Sequence, residues 1–490
     1  MGPDDRSPVA RGRHAHHPRP RHDAAAAHLD RLGGRRDRGP APERSLSLPG
    51  SASRDAASRD AKPDAPTPVP DRVAARSLFV ALLTIFLDIL GFGIIIPVQP
   101  FYAESFGASP TVITLLGATF SAMQLVFAPM WGRLSDRIGR RPIILVSVAV
   151  SIVGHLMFAL AGALWVLFLA RVLSGIGTAN FGAAQAVVAD TTSGAQRARG
   201  MGMLGAAFGL GFILGPALGG AMSQLSAAAP FWLATGLSVV NLMLAWRYLP
   251  ETHPPERRGA SHFAAKRWLA VLDAKEAGRY PNLPRLLLIV AFSITGMGLM
   301  EYSLGLLIED VWVLPAALAT ASGDLAAIDM RAVHADSGGL TAVVLMAVGI
   351  TAAVVQGGLL GRLQRRFGER RLVRVGTVVA TVGLASIPLC ALAGSYALLV
   401  IGGGAIVAIG TGLTYPSTNA FISRSVPAVD QGRWLGIAQS LGALGRTLGP
   451  AFSGLLFSLH ALAPFIAAAL LMATAAIVAA SLGALREAAP

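Results

Sequence analysis

A chain of 490 residues that is 53% hydrophobic and 14% charged, with a mean hydropathy of +0.57, is too apolar for a water-soluble domain, in which about a quarter of residues are charged. One cysteine, Cys390, cannot close an internal disulfide, and no Cys/His set has zinc-ligand spacing, so a secreted disulfide scaffold and a soluble metalloenzyme are excluded. The net charge of +14 divides into +5 over residues 1–76 and +9 beyond, mostly in loops between apolar runs, which signals membrane topology rather than nucleic-acid binding.

Residues 1–76 are rich in Arg, Asp, Ala, Pro and His, lack aromatics and show no periodicity that could bury a face. They are expected to be a disordered cytoplasmic tail. An upstream start codon assigned in error, with the true start near Val73, accounts for them equally; the next Met is Met123, inside an apolar run. The segment has no apolar stretch of the kind a secretory signal needs.

From Ser77 onward twelve apolar segments follow, near 77–98, 110–131, 142–161, 164–188, 201–222, 229–248, 286–308, 340–360, 373–392, 396–418, 434–457 and 461–482. At ~1.5 Å per residue each is long enough to cross a ~30 Å hydrocarbon core. None alternates with period two, so they are helices rather than barrel strands. The expected architecture is an all-α membrane protein: a six-helix bundle over 77–248, a cytoplasmic linker over 249–285, a second six-helix bundle over 286–482 and a short tail over 483–490. If the N-terminus is cytoplasmic, that side receives Arg133, Arg137, Arg140, Arg141, the cluster from Arg247 to Arg285 and the run from Arg362 to Arg374. The opposite side receives only Arg331, so both termini are expected inside. An outer loop between spans seven and eight carries Glu309, Asp310, Asp324, Asp329 and Asp336. Within the basic linker, Phe263 to Ala277 reads as a short surface helix.

The chain repeats itself. Gly132-Arg-Leu-Ser-Asp-Arg-Ile-Gly-Arg-Arg-Pro142 and Gly361-Arg-Leu-Gln-Arg-Arg-Phe-Gly-Glu-Arg-Arg371 share six of eleven positions at an offset of 229. The string Gly211-x3-Gly215-Pro216-x2-Gly219-Gly220 is echoed by Gly445-x3-Gly449-Pro450-x3-Gly454 at an offset of 234. Two bundles related by a parallel repeat follow.

These motifs resemble the major facilitator superfamily, and within it the twelve-span drug/proton antiporters, including tetracycline efflux proteins. The resemblance covers about Ser77 to Leu482. Asp88-x2-Gly91-x-Gly93-x3-Pro97-x2-Pro100 is similar to the family's first-helix pattern, residues 132–142 to its loop signature, and Arg171 with Gly175 to its fourth-helix pattern. The resemblance implies that Gly132, Asp136, Arg137, Gly139, Arg140 and Arg141, with Asp190 as acceptor, hold the cytoplasmic side closed in the outward-facing state, and that Gly211, Gly215, Pro216, Gly219 and Gly220 form an antiporter motif. Physically, the loop is a clasp in which a carboxylate can cap another helix's N-terminus and guanidinium groups can fork onto carboxylates; plain retention of basic residues on the inner side also explains it. The glycine ladder presents one bare helix face for close approach, as a static seam or a moving hinge.

Ionisable groups inside the spans are the sharpest physical signal: Asp88, Arg171, Glu301 and Arg446, with His155. Each charge at the core centre costs ~2.5–3.5 kcal/mol on insertion scales, so each needs a partner or a wet cavity. Burial favours a neutral carboxyl and a guanidinium favours a carboxylate. Asp88 is therefore read as exchanging a proton for substrate with Arg171 setting its affinity, Glu301 as a second proton candidate, and Gln124, Gln185 and Arg446 as cavity-lining groups. A static Asp88–Arg171 tie is the competing reading, and inter-helix hydrogen bonding is the default for Asn180, Asn241, Gln356, Asn419 and Gln439. His155 and Cys390 are assigned to packing. No nucleophile/base set or nucleotide loop is present, so an enzyme or an ATP-driven pump has no support, and neither metal nor cofactor is expected. Position Gly154 in span three, an acid-free span nine and the lack of His in span eight depart from the tetracycline pattern.

The expected function is proton-coupled export of a small amphipathic compound by alternating access, in a bacterial inner membrane, with protons, lipid and a small-molecule substrate as partners and no nucleic acid. Proton-coupled uptake of a sugar or other metabolite is the alternative, followed by a sensor or scaffold that keeps the fold without cycling.

Overall fold

The computed structural model describes residues 71–192, 194–255, 274–321, 323–427 and 430–483. Of the tail predicted over 1–76, residues 1–70 lie outside the described residues, as does all but the end of the predicted surface helix, whereas residues 71–76 are not disordered but form the first turns of the first helix. The described chain is helical: α1 Asp71–Ile95, α2 Gln99–Glu104, α3 Pro110–Ile138, α4 Arg140–Ala159, α5 Leu164–Gly177, α6 Phe181–Thr191, α7 Gly194–Ser223, α8 Ala229–Tyr248 and α9 Ala274–Ala277. There follow α10 Leu283–Ile308, α11 Leu314–Thr320, α12 Met330–Ala353, α13 Leu360–Leu392, α14 Tyr396–Leu398, α15 Val407–Ser425, α16 Gln431–Leu459 and α17 Ala463–Ala480.

Among the described residues, ten helical stretches are long and apolar enough to cross a membrane. Two features separate this number from the expected twelve. Met330–Leu392 forms one stretch of 63 residues, more than twice what a single crossing needs, and the backbone leaves the helix at Gly368, where φ is +73°. The 29-residue α16 is not among the ten, because its glycines and Arg446 dilute its apolar content.

Span boundaries depart from the expected ones in physically informative places. The chain does not form a loop at residue 309: α10 runs on through a π-helical turn, Glu309–Val313, into α11, so Glu309 and Asp310 stand on a helix. Helix α12 starts at Met330 rather than near 340, capped by the Asp329 side chain, which accepts from the Arg331 N–H at 3.0 Å, and it thereby includes His334. The fourth apolar segment is split by a 3-10 turn, Thr178–Asn180, which joins α5 to α6.

The packing repeats as the sequence does. Helix α1 lies against α7 and α8, and α4 against α5 and α8; likewise α10 lies against α16 and α17, and α13 against α15 and α17. Glycines make the close pairs. A Cβ at Gly215 would stand 2.6 Å from Gly93 Cα, and one at Gly449 2.8 Å from Gly298 Cα, so in both copies two helix backbones touch. Large apolar side chains such as Ile477 and Leu459, 72% and 75% exposed, cover the outside, as a lipid-facing surface requires.

The two copies meet along α3 with α16 and α7 with α12. Their close contacts fall at the ends nearest the acidic residues Glu104, Glu309 and Asp310. There Thr111 Oγ1 is 3.1 Å from Ser458 Oγ, and Gln224 Nε2 donates to the Ala335 carbonyl at 3.0 Å. A Cβ at Gly220 would stand 2.6 Å from that of Ala342, and Gly454 abuts Thr114 and Pro110. Toward the opposite, basic end of these helices, Gly132, Gly202, Gly205, Gly209, Gly432 and Gly436 have nothing within 4 Å of where a Cβ would lie.

Candidate functional site

Asp88 is buried in α1 among amides rather than cations. Its Oδ2 accepts from Asn180 Nδ2 at 2.9 Å and its Oδ1 from Asn241 Nδ2 at 3.0 Å. The 3-10 turn between α5 and α6 is what presents Asn180, and the same amide donates to Ser147 Oγ of α4 at 3.0 Å. One carboxyl thus joins α1, the α5–α6 break and α8. The opposite atom of the Asn180 amide, Oδ1, is buried without a hydrogen-bond partner, as is Thr84 Oγ1 one turn below Asp88. An acceptor is therefore available beside the carboxyl should it carry a proton, because rotating an amide exchanges its donor for its acceptor.

The expected Asp88–Arg171 pair is not formed among the described residues. Arg171 instead lies between two rings, its guanidinium carbon 5.3 Å from the centroid of Phe120 and 5.0 Å from that of Phe158. It is 1% exposed, and its Nε and Nη2 have no hydrogen-bond partner. Its guanidinium thus faces rings rather than Asp88. His155 is a packed imidazole, with Nδ1 3.0 Å from Ser238 Oγ. Tyr302 fills the space opposite Gly117, which puts a second-copy side chain against a first-copy helix. In that second copy Glu301 is half-buried and feels the charge of Arg446, which stands exposed midway along α16. Tyr415, whose hydroxyl donates to the Ser293 carbonyl at 3.3 Å, shares this environment. Of the other residues expected to line a cavity, Gln124 donates to Thr178 Oγ1 at 3.1 Å and Gln185 is exposed on α6. Among the described residues no hydrogen bond joins either of these to Arg446.

At the basic end the clasp centres on Arg140. Its guanidinium bonds Asp136 of α3, Ser135 Oγ at 2.7 Å, and Asp190 Oδ2 of α6 at 3.2 Å. Gly139, at φ +113°, makes the sharp turn that lets Arg140 begin α4 and still reach back to α3. The helix N-terminus is capped differently from the sequence expectation. Asp136 is engaged with Arg140, and the carboxylate that accepts from the N–H groups of Arg140 and Arg141, at 2.9 and 3.3 Å, belongs to Glu251. Arg141 reaches the Trp246 carbonyl at 2.8 Å, while Arg137 is exposed. In the second copy Gly368 repeats the positive-φ turn of Gly139, and the residue after it is Glu369, which accepts from Arg424 of α15 at 2.8 Å. The ion pair occupies the equivalent place with its charges exchanged.

Gly211, Gly215 and Gly219 seat α7 on Ile89, Gly93 and Ile94 of α1, with Pro216 inside the helix, and Gly220 turns to α12. Ser453 stands where Gly219 would repeat, and its hydroxyl donates to the Leu299 carbonyl at 2.7 Å. Residues missed in the sequence are Glu251, Tyr302 and the three-residue cluster Glu104, Glu309 and His334. In the sequence Glu251 and Glu104 fall between the apolar segments, and His334 falls before the expected helix start. Burial beside Asp310 holds the Glu104 carboxyl above the usual carboxylate range.

Comparison with known proteins fits this arrangement. The chain is 32% identical over 392 residues to the tetracycline resistance protein, class E, of Escherichia coli, spanning 78% of this chain and 88% of that protein. It is 33% identical over 387 residues to the class G protein of Vibrio anguillarum, spanning 76% and 88%. Among solved structures, that of the human organic anion transporter MFSD10 superposes with a TM-score of 0.61 at 24% identity, covering 84% of this chain and all of that one. The sequence matches the family model described as Major Facilitator Superfamily over residues 81–400 and 310–490. On these matches, and on a fold of twice-repeated helix packing, the chain belongs to the major facilitator superfamily.

Proposed function

We propose that this multi-pass membrane transporter exports a small amphipathic compound in exchange for protons, by rocking two six-helix halves, twelve crossings in all, about a central site. The observation that carries the proposal is Asp88: a buried mid-span carboxyl held by two amides and no cation among the described residues. A carboxylate kept only as a structural tie would be expected against a guanidinium, and the one nearby, Arg171, is engaged with rings instead. An amide-lined carboxyl can be satisfied in either protonation state, which is what a group that gives up its proton to one side and regains it from the other requires. A proton moving inward gains ~2.3 kcal/mol per 100 mV of membrane potential, enough to drive uphill export of modest size.

The distribution of arginine assigns the basic end and both termini to the cytoplasm. On that assignment the structure corresponds to a state closed outside, where α3 meets α16 and α7 meets α12, and open inside, where the seam glycines face space. Exposed Arg446 then lines water between the halves rather than lipid, which would cost it ~2.5–3.5 kcal/mol. The clasp of Arg140 with Asp136 and Asp190 ties α3, α4 and α6 of the first half and is formed in this inside-open arrangement, so it braces that half rather than latching the two halves together. Tetracycline resistance is what the names of the similar proteins record, and an amphipathic drug is accordingly the substrate class to test first.

Proteoliposomes containing the wild type or Asp88→Asn provide the test, with a drug-susceptibility panel run with and without an uncoupler to choose the drug. The expected result is that Asp88→Asn abolishes drug-dependent proton movement and uphill transport while the protein remains folded. Undiminished coupled transport by Asp88→Asn overturns the proposal.

A further inference from the structure

The acidic end of the seam holds a cluster that the transport reading does not use. Glu104 ends α2 in the first copy; Glu309 begins the π-helical turn after α10, and His334 lies in the first turns of α12, both in the second. His334 Nε2 is 3.7 Å from Glu104 Oε2 and 3.8 Å from Glu309 Oε1, and the three donor atoms lie within 4.8 Å of one another. Buried polar atoms nearly always find hydrogen-bond partners, yet Glu104 Oε2, Glu309 Oε2 and His334 Nε2 are all buried without one. Glu309 itself is only 5% exposed. One oxygen of each glutamate and the His334 ring nitrogen thus stand close together with lone pairs left unused, which is what a cation requires.

We propose that Glu104, Glu309 and His334 form a binding site for a divalent transition-metal ion, of which zinc is the representative, bridging the two halves. A tetrahedral zinc with N and O ligands at ~2.0–2.2 Å places its ligand atoms ~3.3–3.6 Å apart, so the two spacings from His334, 3.7 and 3.8 Å, close onto the ion with a shift of a few tenths of an ångström, and the two carboxylate oxygens, within 4.8 Å, by a rotation of the partly exposed Glu104 side chain. One imidazole and two carboxylates fill three positions and leave the fourth for water. The Phe101 ring stacks on His334 with centroids 6.0 Å apart, which fixes the plane of the imidazole. The Glu104 side chain, 36% exposed, opens the site to the aqueous side. Magnesium and calcium favour six or more oxygen ligands and suit this set poorly. Because the ligands come from both copies, the site is complete only while this end of the seam is shut, and the bound ion holds it shut. That last step rests on the proposed rocking motion.

Calorimetric titration of the purified full-length protein with zinc chloride tests the site, magnesium chloride serving as the comparison. His14, His16, His17, His22 and His28 are replaced by Ala throughout, so that the histidine-rich tail contributes no zinc binding of its own. One zinc per chain is expected, weakened by at least about tenfold in each of His334→Ala, Glu309→Gln and Glu104→Gln, with the variants shown folded by their elution and melting. No zinc binding, binding indifferent to all three substitutions, or magnesium bound equally well overturns the site, and the cluster is then a polar contact between the two halves that holds no ion. The lock is read separately, by maleimide labelling of Thr111→Cys at the seam, with Cys390 labelling subtracted. Zinc is expected to slow labelling at least about tenfold, and not in the His334→Ala background. Zinc bound without slower labelling overturns the lock. A cysteine that never labels, with zinc or with chelator, refutes the rocking motion itself and leaves the site to stand on the calorimetry.

Discussion

At the scale of single residues, burial without partners separates the charges that cost stability from those that add it. Arg171 is enclosed by two aromatic rings with two guanidinium nitrogens unsatisfied. Replacing a buried charge by an apolar side chain of similar volume is often neutral or stabilising by ~1–4 kcal/mol, against a cation–π loss of ~2 kcal/mol. Arg171→Met is therefore expected to melt within ~1 kcal/mol of the parent or above it in a thermal-shift assay, while drug efflux falls at least about tenfold. A variant that folds and pumps normally shows that the guanidinium has no part in the cycle. Arg140 behaves differently, since it satisfies Asp136 and Asp190 together, whereas the equivalent pair of the second copy uses Arg424, which is 62% exposed. Arg140→Ala should cost more than the ~0–1 kcal/mol expected of Arg424→Ala, and equal losses in the same assay would contradict the geometry. Asp88 was legible in the sequence because a mid-span carboxylate is expensive. Its partners were not, because Asn180 and Asn241 lie 92 and 153 residues away and nothing local to them indicates which helix they face.

At the scale of helices, the glycines divide into those that touch another backbone and those that face space. A side chain at Gly215 would strike Gly93, and neither backbone can yield. Overpacking typically costs ~1–3 kcal/mol, and more where main chains are forced apart. Gly215→Val is expected to reduce the yield of monodisperse protein sharply, whereas Gly209→Ala, which meets nothing within 4 Å, should change stability by no more than ~0.5 kcal/mol. The spacing of four residues made this ladder readable in advance, since periodicity reports which face is bare. Helix ends were less readable. The π-helical turn at Glu309–Val313 and the early start of α12 come from caps and packing rather than from hydropathy, and that is why the Glu104, Glu309 and His334 cluster could not be assembled from the sequence.

For the whole molecule, apolar runs and internal repeats gave the architecture, because hydrophobic length and glycine spacing are properties of the chain itself. Which end is closed is a property of contacts between halves and is visible only in three dimensions. A pair of cysteines at Thr111 and Ser458, whose side-chain oxygens lie 3.1 Å apart across the seam, should oxidise readily. Drug efflux from cells carrying Thr111→Cys with Ser458→Cys is expected to stop on oxidation and return on reduction. Efflux that continues with the disulfide formed would show that this end does not need to part.

The contact of Gly215 with Gly93 has one further bearing on that motion. With no side chain between the two main chains there is little soft material to absorb displacement, so in the proposed rocking α1 and α7 would travel as a single stiff lever. One arm of that lever holds the Asp88 carboxyl, and the other, through Gly220, rests on α12 of the opposing half. In the proposed rocking, a tilt that lifts the resting arm would carry the carboxyl with it relative to the opposing half, and this mechanical linkage passes through no loop.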